Sequence, residues 1–149
     1  MTTASIRNDA ARAHFLKQFN DMPYPFTASI TTAANRTAHQ NATLHMWFGE
    51  VARHQADLDA NEIKGMCHRR WGLDIRMRCA KFAWVWERSG ARLPYEKQCA
   101  MLASGVLNVS SEMDTKELSE YMDAMSRHFR KDGVPLTDPE MRGIEAMQR

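Results

Sequence analysis

The feature that most constrains this chain is the segment from Asp114 to Gly133. Asp114-Thr115-Lys116-Glu117 is a capping-box pattern: the first side chain accepts from the backbone three residues on, and the Glu reaches back to the cap. Leu118, Tyr121, Met122, Met125 and Phe129 follow at i, i+3, i+4, i+7 and i+11, one apolar face of a helix. Gly133 stands where a left-handed residue would end it. A helix with such a stripe must be covered by other elements, so the rest of the chain has to supply a core facing it.

Other segments supply matching faces. Ala11, Phe15, Leu16 and Phe19 share one face of a helix predicted over Ala10 to Phe19, with Asn8 or Asp9 as its cap. Leu44, Trp47, Phe48 and Val51 predict a helix over about Gln40 to His54, after a polar connection from Thr32 to Ala38. Asp59-Ala60-Asn61-Glu62 is a second capping box, opening a helix that buries Ile63, Met66, Cys67 and Trp71, with Gly72 as a left-handed terminator. Asp74 to Arg88 reads as helix from the Phe82/Trp86 spacing, although Trp84 and Trp86 alternate as in a strand. Leu93-Pro94-Tyr95 predicts a turn and Tyr95 to Ala103 a short helix. Thr137-Asp138-Pro139-Glu140 is a third box before a terminal helix over about 139–149.

Strands are expected at Tyr24 to Thr31, where Tyr24, Phe26, Ala28 and Ile30 alternate with polar residues, and more weakly at Thr3 to Arg7 and Val106 to Val109. The fold class implied is α+β, predominantly helical with a small few-stranded sheet, as one domain over residues 1–149.

Composition narrows function. No run approaches the ~20 apolar residues of a membrane span. Charge arrives at Arg7 and Asp9, before any apolar core of a signal peptide, which implies a cytoplasmic protein. Three cysteines, Cys67, Cys79 and Cys99, suit a reducing compartment better than a disulfide framework. The net charge of +2 conceals a concentrated block. Residues 64–97 hold nine Lys/Arg against three Asp/Glu, and both flanks are acidic. Arg69, Arg70, Arg76, Arg78, Lys81, Arg88 and Arg92 recur there among Trp71, Phe82, Trp84 and Trp86. Cations neutralise phosphates and aromatic faces stack unpaired bases, so the pattern points to single-stranded nucleic acid. Two or three of those four aromatic residues are expected in the core. Trp84 is taken as the stacking residue, and Arg76 and Arg78 are expected to be exposed just beyond Gly72.

Catalytic motifs are not found. There is no C-x-x-C or H-x-x-x-H pair, no phosphate-binding glycine loop and no nucleophile elbow. The reading therefore assigns no catalytic residue, no metal and no cofactor. Two alternatives stay open. One is a metal-dependent, structure-specific nuclease using Glu50, Asp57, Asp59 or Glu62. The other is a protein-interaction module for a host replication factor.

Arg36 to Arg53 reads R-T-x-x-Q-N-x-x-L and then G-E-V-A-R. This resembles the R-S-x-x-Q-N-x-x-L…G-D-V-S-R segment of the NinB family of bacteriophage recombination proteins. Ser110-Ser111-Glu112-Met113, the helix with Leu118 and Tyr121, then Gly133-Val134 and Asp138-Pro139-Glu140 are similar to the family in order and spacing. The two regions cover roughly half of the chain. The resemblance implies a homodimeric α+β recombination mediator acting on single-stranded or gapped DNA. Such a protein assists recombinase loading in competition with single-strand-binding protein, in phage recombination and DNA repair. Arg36, Gln40 and Asn41 match the family motif, with no role assigned, and residues 69–107 carry no family site.

Overall fold

The computed structural model describes residues 9–27 and 33–138, with residues 33–37 described by their backbone. The chain divides into two compact units, residues 1–31 and residues 32–149.

In the first unit, α1 spans Asp9–Asn20, one residue longer at each end than expected. The helix buries none of its residues. Its apolar face instead gathers a string of rings: Phe15 and Phe19 lie 6.1 Å apart, Phe19 meets Phe26 edge-on at 5.1 Å, and Tyr24 stacks on Phe26 at 5.6 Å. The strand expected from Tyr24 is not there: residues 24–27 are irregular, and residues 28–31 lie outside the described residues. The Thr3 to Arg7 strand also lies outside them.

The described residues of the second unit form helices joined by turns and loops. Helix α2 is Ala33–His54, α3 is Ala60–Cys67 and α4 is Leu73–Arg76; α5 is Ala80–Ser89, α6 is Tyr95–Ala103 and α7 is Thr115–Lys131. No strand occurs among the described residues, so the α+β expectation is corrected to an all-α fold. The physical reason is that an apolar run becomes a strand only when another strand pairs with it. Val106 to Val109 shows this. Gly105 turns the chain at φ +81° after α6, Val106 is exposed and Val109 drops into the core.

Two of the three expected capping boxes form, and the third reaches beyond the described residues. Asp59 accepts from the Glu62 backbone at 2.8 Å and Glu62 accepts from the Asp59 backbone at 2.8 Å. Asp114 and Glu117 repeat the exchange, and Gly133, at φ +80°, ends α7. The α7 stripe, Leu118, Tyr121, Met122, Met125 and Phe129, is wholly buried. It packs on α2, whose Leu44, Trp47, Phe48 and Val51 face it, while α3 lies between α2 and α6. Cys67 joins this core, but Met66 is exposed and Trp71 only half-buried.

Helix α2 starts where a polar connection was expected, several residues earlier than Gln40. Gln40 and Asn41 therefore lie inside the helix rather than at its start. After α7 the chain runs back along α2: Val134 and Leu136 are buried, the Trp47 indole N–H donates to the Thr137 carbonyl at 2.7 Å, and Glu50 accepts from both the backbone N–H and the hydroxyl of Thr137. The Thr137 hydroxyl is thus held by α2; the expected terminal helix lies outside the described residues.

Gly72 does not terminate α3. It is helical, at φ −68°, and the chain passes from α3 through a π-helical turn, His68–Gly72, straight into α4. The glycine is needed for closeness instead. A Cβ there would lie 2.6 Å from Val109 Cγ1 and 3.2 Å from Tyr121 Cε1. Gly65 serves the same end between α3 and α6, where a Cβ would fall 2.5 Å from the Cys99 carbonyl oxygen. Gly65→Ala is therefore expected to force the two helices apart and to cost about 1–3 kcal/mol of stability, the usual range for overpacking. Urea unfolding measures it, and an unchanged midpoint would show that the crossing is looser than this.

Candidate nucleic-acid interface

The basic and aromatic block of residues 64–97 becomes the end of α3, the π turn, α4, α5 and the start of α6. Helical geometry then sorts its side chains. On α5, Phe82 and Trp86 point inward and are 7% and 5% exposed. At about 100° per residue, Lys81, Trp84 and Arg88 fall within one sector of about 60° on the opposite side. All three are exposed, Trp84 at 58%. The Arg88 guanidinium carbon sits 4.2 Å from the Trp84 ring centroid, and its Nη1 donates to the Trp84 carbonyl at 3.1 Å. One face of the indole is thereby covered by a cation and the ring is held in place. Glu87 is the only carboxylate on α5, and Arg92 is exposed in the loop beyond it.

Of the other arginines of the block, Arg69, Arg76 and Arg78 are engaged elsewhere. Arg69 Nε donates to Gln98 Oε1 at 2.6 Å, and Gln98 Nε2 donates to the carbonyls of Gly90 and Ala91 at 3.2 Å. This strut ties the π turn and α6 to the end of α5. Arg70 is exposed, 4.9 Å from the Trp71 ring and 3.5 Å from His128 Nε2. Arg76, expected at the surface, is 7% exposed. Its guanidinium lies 5.2 Å from the Phe82 ring and donates to the Glu112 carboxylate at 3.0 Å. A guanidinium on a short helix between an aromatic core and a carboxylate is a strut, not a phosphate contact. Arg78 is exposed as expected, but a bidentate pair at 2.6 and 2.8 Å engages it with Glu120. That hydrogen bond holds the Glu120 carboxyl below its usual range.

The family-motif residues divide. Gln40 Nε2 donates to Ser119 Oγ at 2.8 Å, which fastens α2 to α7. Gln40 Oε1 and Asn41 Oδ1 are buried without a hydrogen-bond partner. Arg36 lies in the first turn of α2.

Among the four carboxylates considered for a nuclease, Glu50 is engaged with Thr137, and Asp59 and Glu62 with each other's backbone. Among the described residues, no group of three or more His, Cys, Asp or Glu is placed to hold a metal ion. All three cysteines are free, with Cys79 exposed. Burial pushes the Cys67 thiol up to about 12, which keeps it protonated and unreactive. No described helix is long and apolar enough to cross a membrane.

Sequence reasoning missed Glu112 and Glu120 as partners of the basic block, because they lie 36 and 42 residues away from the arginines they meet. It also passed over Tyr95, half exposed at the start of α6. Comparison with family models, with curated proteins and with solved structures returns no match to this chain.

Proposed function

We propose that this protein binds single-stranded DNA through the outer face of α5, as a non-catalytic accessory of phage or prophage recombination. The observation that carries the reading is the exposed Trp84 indole, covered on one side by Arg88 and flanked by Lys81. Such a platform leaves one ring face for an unstacked base while the cations neutralise adjacent phosphates. Duplex DNA keeps its bases stacked and offers the indole nothing to take. The recombination context, single-stranded or gapped DNA as substrate and help for a recombinase against single-strand-binding protein rest on the resemblance to the NinB family. So does the homodimer. Light scattering at micromolar concentration is expected to return about twice the 17.1 kDa of the chain; a monomer mass would count against it.

The test of the binding itself is a fluorescence titration with single-stranded and duplex oligonucleotides at two salt concentrations. Tighter binding of the single strand, weakening as salt rises, is the expected result. Equal affinity for both forms, or none for either, would overturn the reading.

A further inference from the structure

A pocket of about 140 Å³ opens where α3, the π turn, α6 and α7 converge. Its walls include Trp71, Tyr95 and Phe129, and its polar groups are Arg70, Gln55 and His128. The Trp71 ring is steadied by two neighbours on the lining: Phe129 meets it edge-on at 5.9 Å and His128 lies 5.3 Å away. Tyr95 is 51% exposed, so its ring has surface to give to a ligand. Arg70 is exposed beside Trp71, and no carboxylate lines the pocket.

These groups specify a ligand class. Two aromatic walls favour a flat ring system between or against them. A guanidinium at the side, with no nearby lining carboxylate to neutralise it, favours an anion held by its fork. An amide on the lining, able both to donate and to accept, suits the edge of a heterocycle. A planar heterocycle carrying a phosphate meets all three conditions. An aromatic side chain from a protein partner meets only the first.

We propose that this pocket seats one nucleotide of the bound strand, its base against Trp71 and Tyr95 and its phosphate on Arg70. The assignment rests on reading the chain as a nucleic-acid binder and adds a second contact, built from different elements than the α5 platform. The base is held and not transformed, since the pocket presents no activated nucleophile: the neighbouring Cys67 thiol stays protonated.

The test uses the full chain labelled with ¹⁵N and three small probes: thymidine monophosphate, inorganic phosphate and N-acetyltryptophanamide. The Trp71 indole N–H signal, assigned with Trp71→Phe, is the readout. Thymidine monophosphate is expected to shift it saturably, and inorganic phosphate to leave it in place. Tyr95→Ala and, separately, Arg70→Gln are expected to weaken the nucleotide at least five-fold. Both residues are at the surface, so either variant keeps the fold. The proposal is overturned if phosphate alone reproduces the shift, if N-acetyltryptophanamide saturates the pocket where the nucleotide does not, or if millimolar nucleotide moves nothing. The two readings fail separately. Oligonucleotide binding without a nucleotide effect on Trp71 removes the pocket and leaves the α5 platform; a nucleotide effect without oligonucleotide binding removes the strand-binding reading, and with it the seating of a strand's nucleotide, and leaves only a site for free nucleotide.

Discussion

Lowering the pH from 7 to 5 is expected to remove about 2 kcal/mol of folding stability, and the loss to approach about 4 kcal/mol by pH 3. The group responsible is His68, buried at 2% exposure on the π turn, with its Nδ1 2.7 Å from the hydroxyl of the fully buried Tyr121. Burial first, and then the nearby charges of Lys64 and His45, push the His68 imidazole down from 6.5 to about 3. In the unfolded chain His68 takes a proton as the pH falls below about 6.5; in the folded chain it refuses one until about pH 3. Its contribution is complete above the unfolded value and is lost progressively between the two. His45, also pushed down by burial and by Lys64, acts in the same direction. Urea unfolding at pH 7 and pH 5 measures the effect. His68→Gln is expected to be less stable at pH 7, by about 1–3 kcal/mol if the Tyr121 hydroxyl is left without its partner. Its stability should also change less between the two pH values. A variant with the wild-type pH dependence would show that His68 is not the group that titrates.

The same His68–Tyr121 contact marks the limit of what the sequence could tell. The α7 stripe was legible because capping box, periodicity and closing glycine all agree over Asp114 to Gly133. The Asp59 box and the α6 boundaries, Tyr95–Ala103, were legible for similar local reasons. Gly72 was not. A glycine after an apolar helix signals a left-handed end only if the chain turns there, and here the missing Cβ makes room for Val109 and Tyr121. A π turn also adds a residue that 3.6-residue counting cannot register. The break between α4 and α5 falls at Met77 to Cys79, where neither glycine nor proline announces it. Strand assignments at Tyr24 and Val106 failed because alternation describes a half-buried surface without supplying a partner strand. At the candidate site, Lys81, Trp84 and Arg88 all lay within the block picked from composition. Which cations remain for a ligand depends on Glu112 and Glu120, distant in sequence, so Arg76 and Arg78 could not be separated from the others.

That separation decides which variants are informative. Lys81→Ala with Arg88→Ala should weaken single-strand binding for all sequences alike. If each cation neutralises one phosphate, the salt slope should fall by about 1.4, at ~0.7 for each phosphate no longer neutralised. Trp84→Ala should behave differently, costing about 1–3 kcal/mol of binding, roughly 5- to 150-fold in affinity, with the slope unchanged. Because Trp84 is 58% exposed, its loss should leave the melting temperature nearly untouched. Trp86, two residues on but 5% exposed, gives the contrast: Trp86→Ala should cost about 3–5 kcal/mol of stability. Arg76→Ala should also destabilise, since it removes the buried guanidinium between Phe82 and Glu112. A folded Arg78→Ala variant should bind DNA with the wild-type slope, because Glu120 already holds that charge. The α5 platform is ruled out if the Lys81/Arg88 double variant, folded, keeps both the affinity and the salt slope of the wild type. Weakened binding by Arg78→Ala in place of that pair would instead place the strand along the turn between α4 and α5 and the Glu120 edge of α7, with the ion pair opening to admit phosphate.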